Sequence, residues 1–164
     1  MILDLVKKLR AILRPASVRN GKPELLSPIE ILRANYYDLL RLAEQIHAHA
    51  ERAPYPHVRQ RLRQIALEKR NAADTLREKI LSLRVVLGEP QLDLKSGKNH
   101  WKRMVRDLED QKALETRFLE HAARLAEEAP EISDLLKGVV AAQVSHKETL
   151  LDLVARADPQ ADQT

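Results

Sequence analysis

The feature that most constrains this chain is a helical hydrophobic period that recurs in four long stretches and stops only where Pro or Gly stands. Apolar residues return every three to four positions, and no segment alternates as a half-buried strand does. Ser27-Pro28-Ile29-Glu30 opens the first stretch. Ser27 suits an N-cap, Pro28 the first helical position, and Glu30 can return a bond to the cap. Leu32, Leu39, Leu42 and Ile46 then keep helical spacing, and the helix is expected to stop near Ala53, before Pro54 and Pro56. A second helix is expected over 57–86, with Leu62, Ile65, Leu76, Ile80 and Leu83 inward. Gly88, Pro90 and Gly97 mark a connection of about a dozen residues. A third helix is expected over 99–128 with Val105, Leu108, Leu114 (or Phe118) and Leu125 on its apolar side, and a fourth from Pro130 to about Ala157.

These stretches predict an all-α four-helix bundle. Helices joined by the short turns near Pro54 and Pro130 pair as antiparallel hairpins. The middle connection spans up to roughly 40 Å when extended, about the length of such a bundle. Two hairpins joined by a long crossover follow. The 164 residues then divide into an N-terminal amphipathic helix and linker (1–26), the bundle (27–157) and a polar tail (158–164).

Composition removes several function classes. There is no Cys, so disulfides, thiolate metal sites and Cys nucleophiles are excluded. The net charge of +4 is concentrated in residues 1–22, where six bases face only Asp4, and the rest of the chain is close to neutral. A near-neutral body with few aromatic residues has no footprint for nucleic acid. No apolar run approaches the length of a membrane span, and no Gly-rich phosphate loop, Ser/His/Asp order or dinucleotide fingerprint is present. Residues 1–14 place Ile2, Leu5, Leu9 and Ile12 on one stripe with Lys7, Lys8, Arg10 and Arg14 mostly elsewhere. The expectation is a helix docked on the bundle or a second subunit, with attachment to a membrane surface as the alternative. Asp4 interrupts the apolar start and no small-residue cleavage site follows, so the reading is cytoplasmic.

Val105-Arg106-Asp107-Leu108-Glu109-Asp110-Gln111, followed by Ala113, Leu114 and Phe118, resembles the third helix of bacterioferritins and rubrerythrins. The run from Leu135 through Gln143-Val144-Ser145-His146 to Leu150 is similar to their fourth helix, which carries Glu-x-x-His. Ile65-Ala66-Leu67-Glu68-Lys69-Arg70-Asn71-Ala72, continuing to Leu76, resembles the second, and Asn35 falls where the first helix gives its Glu. The resemblance spans roughly 28–155 and implies a ferritin-like bundle, dimeric through its first two helices. In that family four carboxylates and two imidazoles neutralise two irons in the bundle core.

Carried across residue by residue, the resemblance assigns Asn35 to the first Glu, Lys69 to the second, and Ala72 to that Glu's His. Gln111 and Gln143 stand for the third and fourth Glu, and only His146 keeps the ligand type. The expectation is a neutral, hydrogen-bonded polar layer that needs no cofactor, with Asp38 and Glu115 as candidate partners of Lys69. A frame shifted by one residue would read Glu68-x-x-Asn71 as the motif instead. Haem binding in the bacterioferritin manner needs a Met where Arg70 stands.

The resulting function is a non-enzymatic structural or protein-interaction module, homodimeric or bound to another protein. Two metal readings stand as alternatives. One is an iron-handling oxidoreductase with an altered site around His146, Glu115 and Glu68. The other is a divalent-metal or haem site at one end of the bundle, where topology gathers His47, His49, His57 and His100. His121 belongs toward the other end.

Overall fold

A computed structural model describes residues 25–158. The expected helix at 1–14, most of the linker and nearly all of the polar tail lie outside the described residues. Five helices follow in order: α1 (Pro28–Glu51), α2 (Pro56–Ser82), α3 (His100–Leu125), α4 (Pro130–Ala141) and α5 (Val144–Arg156). No strand occurs among the described residues.

Local chemistry sets most of the boundaries. At α1 the Ser27 hydroxyl accepts from Glu30 N at 3.2 Å, and Ser27 N donates to the Glu30 carboxylate at 2.7 Å. This is the reciprocal cap read from the sequence, a device of about 1 kcal/mol. Asn99 caps α3 through Oδ1, which accepts from Lys102 N at 2.8 Å. Pro stands in the first turn of α1, α2 and α4, where its missing N–H costs nothing.

The packing is two antiparallel hairpins, α1 with α2 and α3 with α4 and α5. The hairpins meet mainly through α1 on α3, with α2 touching α5. The connection between α2 and α3 runs back along α1. Tyr37 Oη donates to Gly88 O at 3.3 Å, Lys95 N donates to Gln45 Oε1 at 2.9 Å, and Arg52 reaches Ser96 Oγ at 3.4 Å. A Cβ added at Gly97 would lie 2.8 Å from the backbone N of Arg103, so glycine is what lets this crossover close onto the start of α3. Leu32, Leu39, Leu42, Ile46, Leu62, Leu76, Ile80 and Phe118 form the centre of the core, all without exposure.

Three sequence expectations need correction. First, α2 ends at Ser82, four residues earlier than expected, because Arg84 turns the backbone with φ 58°. Val85 N then bonds Ile80 O and Arg84 N bonds Leu81 O, a Schellman closure with Arg where Gly is usual. Second, the fourth rod is broken at Ala142 and Gln143. Gln143 N bonds Val140 O and His146 N bonds Gln143 O, both three residues back. Third, Val105 is only half-buried, and the inward face of α3 carries Arg103, Asp107 and Gln111 alongside its apolar residues.

Candidate functional site

Among the described residues thirteen polar or charged ones are buried, and after Arg103 the largest of them is Lys69. The phase of α2 turns Lys69 fully inward and leaves the Glu68 side chain 44% exposed, which decides between the two frames. The Lys69 ammonium donates to Gln111 Oε1, to Gln143 Oε1 at 2.6 Å, and faces His146 Nδ1 at 3.2 Å. An ammonium has three N–H bonds, and here it faces three acceptors, from α3, the α4–α5 break and α5. Burial pushes Lys69 down to about 7, opposed by the carboxylates of Glu115, Asp107 and Glu68.

Gln111 and His146 are each oriented by a second partner. Gln111 Nε2 donates to Glu115 Oε1 at 3.1 Å and to Gln143 O at 3.4 Å, so its carbonyl oxygen must face Lys69. Glu115 in turn accepts from Lys147 Nζ at 2.8 Å. His146 Nε2 lies 2.6 Å from the Glu68 carboxylate. Glu68 accepts hydrogen bonds from Gln64 and His146 and is held below the ordinary carboxylate range. A carboxylate can only accept, so Nε2 carries a proton, while Nδ1 lies 3.2 Å from Lys69 Nζ and 3.0 Å from Gln143 Oε1. Burial and the Lys69 charge both push His146 down, consistent with a neutral ring.

The polar layer continues across the core. Asp107, one turn before Gln111 and without exposure, lies 2.7 Å from His49 Nδ1 and accepts from Gln45 Nε2 at 2.8 Å. Gln45 also donates to Asp110 at 3.0 Å, and Arg41 reaches both Gln45 Oε1 and Asp110. Lys95 from the crossover lies 3.6 Å from Asp110. Burial raises Asp107 above its ordinary value, against the hydrogen bonds and charge of His49 and Gln45. A polar seam therefore runs from Glu68 on the α2–α5 surface through Lys69 to Arg41 and Lys95 on the α1–α3 surface.

The other sequence-derived positions sort plainly. Asn35 does not join Lys69. Its Oδ1 lies 3.0 Å from His121 Nδ1. His121 is ten residues past Gln111, a rise of about 15 Å along α3. Asn35 Nδ2 is buried with no partner. Asp38 pairs with Arg117 at 2.8 Å instead of Lys69. Ala72 is half-buried against the apolar core. The residues α1 brings into the seam are Arg41, Gln45 and His49, four residues apart along the helix.

The four histidines share an end of the bundle without converging. His49 is engaged by Asp107, while His57 is exposed and stacks on Tyr55 with ring centroids 5.8 Å apart. His47 is half-buried, near Glu44 and Glu51. His100 is buried at the start of α3 with Nδ1 unpartnered, and burial, Arg103 and His49 lower it. Among the described residues no group of three His, Asp or Glu side chains is arranged to hold a metal ion. No described helix is long and apolar enough to cross a membrane.

No protein-family model matches the chain, and no curated protein matches it. Its structure is similar to that of a dodecameric thioferritin, the bacterioferritin-related protein from Bacteroides fragilis. The TM-score is 0.71 at 18% identity, over 93% of each chain. The fold is ferritin-like.

The resemblance read from the sequence implies iron held by carboxylates in the bundle core. Divalent iron in a dry core requires anionic oxygen donors. Here an ammonium holds the point on which Gln111, Gln143 and His146 converge. Two of those three acceptors are neutral amides, Ala72 has no donor atom, and Asn35 stands about 15 Å away along α3. This donor set does not fit a di-iron centre.

Proposed function

We propose that this ferritin-like bundle has no di-iron chemistry and serves as a structural or protein-interaction module that associates with copies of itself. The observation that supports this reading is the Lys69 ammonium, fully buried and hydrogen-bonded where the family resemblance calls for a metal carboxylate. A like charge in that position repels a divalent cation, and moving Lys69 aside would strip three acceptors of their donor inside the core. Self-association is in keeping with the dodecameric assembly named for the similar thioferritin. A dimer through α1 and α2 is the smallest assembly this reading needs.

The test is anaerobic ferrous loading followed by exposure to air, with metal content and oxygen uptake measured beside light scattering. The expected outcome is no stoichiometric iron, no iron-dependent oxygen uptake, and a mass above that of the monomer. One or two irons per chain, lost in His146→Ala, would instead establish the iron-handling reading around His146, Glu115 and Glu68. A strict monomer at micromolar concentration would remove the self-association.

A further inference from the structure

We propose that the centre of the bundle is a binding site for a primary ammonium group, which the chain fills with its own Lys69. The inference rests on the reading that iron does not occupy this centre. It goes further by assigning the site a positive specificity.

Three acceptors, Gln111 Oε1, Gln143 Oε1 and His146 Nδ1, surround the Lys69 nitrogen. None of them is an anion, and their number matches the three N–H bonds of R–NH3+. A planar guanidinium or a tetraalkylammonium presents no such trio of donors. A divalent metal would lack charge neutralisation from these three atoms.

Two of the acceptors, Gln111 and His146, are also held in place by groups other than Lys69. Glu115 fixes Gln111 from behind, and Lys147 anchors Glu115. Glu68 fixes the tautomer and ring orientation of His146. The Gln143 backbone carbonyl receives Gln111 Nε2 at the break between α4 and α5. Walls fastened from outside keep their orientation better than free side chains when the occupant is removed, and the emptied site then holds buried acceptors in need of a donor. His146 and Glu68 border a surface groove with Gln64, Ser145 and Thr149, the side on which the cradle lies nearest to solvent.

Truncating Lys69 to Ala removes three carbons and the ammonium, the outline of propylammonium. The full chain carrying Lys69→Ala is melted in propylammonium chloride, in tetramethylammonium chloride of equal ionic strength, and in propanol. Propylammonium is expected to raise the melting temperature saturably by about 4 °C, with no comparable rise from the other two. Where the variant is unfolded in buffer, the same readout is helicity recovered with propylammonium alone. Lys69→Met, whose side chain fills the space, is expected to show no response. Equal effects of the three additives on Lys69→Ala, or no effect, would overturn the proposal. On the wild-type protein, nitrogen-detected NMR in mildly acidic buffer is expected to show one slowly exchanging lysine NH3+, absent in Lys69→Met. A neutral amine at Lys69 under those conditions would also overturn it. Stoichiometric iron in the wild type marks failure of the functional reading, whereas an iron-free protein without ammonium rescue marks failure of this inference alone.

Discussion

Lys69 Nζ and Gln143 Oε1 lie 2.6 Å apart, with the lysine at the middle of α2 and the glutamine at the one interruption of the fourth helical rod. The buried charge and the helix break are thus parts of one arrangement. Gln143 gives its side chain to Lys69 and its backbone carbonyl to Gln111 while its own N–H bonds Val140 O, three residues back. The titration of Lys69 follows from its surroundings. Burial lowers it to about 7 in the folded protein, while the unfolded chain keeps the ordinary 10.5. Between those values the unfolded state binds the extra proton, so this group's contribution to stability rises with pH across the window and is level below it. Urea unfolding of wild type and Lys69→Met over a pH series should give a difference curve with that rise. A flat difference would show that the three acceptors keep Lys69 charged throughout.

Asp107 is the seam's most dependent carboxylate, because it is fully buried and held by two donors. Its oxygens meet His49 Nδ1 at 2.7 Å and Gln45 Nε2 at 2.8 Å, all three side chains buried. Asp107→Ala leaves His49 Nδ1 without an acceptor, leaves Gln45 Nε2 with Asp110 alone, and opens space between α1 and α3. The expected loss is about 3 kcal/mol by urea unfolding. Adding His49→Leu to Asp107→Ala removes the stranded donor, so the double variant should lose less than the two single losses added together.

Much of the fold was legible because its punctuation is local. Ser27 and Glu30 cap α1 as their spacing predicts, and Pro54, Pro56 and Pro130 bound the two hairpins. The break at Gln143 was not legible, since neither Pro nor Gly stands at 142 or 143 and its hydrogen bonds come from residues 69 and 111. The site was legible in part for the same reason. Lys69, Gln111, Gln143 and His146 lie on inward faces that helical phase alone reveals. Asn35 went to the wrong level because the stagger between α1 and α2 is set by packing, seen in Arg70 on Glu44 and Arg63 on Glu51. Asp107 and Gln45 were passed over because a charged or amide side chain on a helix is ordinarily assigned to solvent, and only the facing helix shows otherwise.

Arg84 is where a local signal misled, and it offers a direct test of the structure. Gly88 suggests that α2 runs nearly to it, yet the chain turns left-handed at Arg84, with φ 58°. Bonds from Val85 N to Ile80 O and from Arg84 N to Leu81 O close the helix there. A side chain with a Cβ holds that conformation at a cost of about 1 kcal/mol, which glycine does not bear. Arg84 is exposed. Arg84→Gly should therefore stabilise the protein by about 0.5–1 kcal/mol, less than the full strain because glycine also frees the unfolded chain. Thermal unfolding is the measurement, and Arg84→Ala is the control. Alanine removes the same charge and side-chain length but keeps the Cβ, so it should not reproduce the gain. A loss in Arg84→Gly would mean that α2 continues past Ser82 in solution, because glycine in a helix interior is unfavourable by a similar amount.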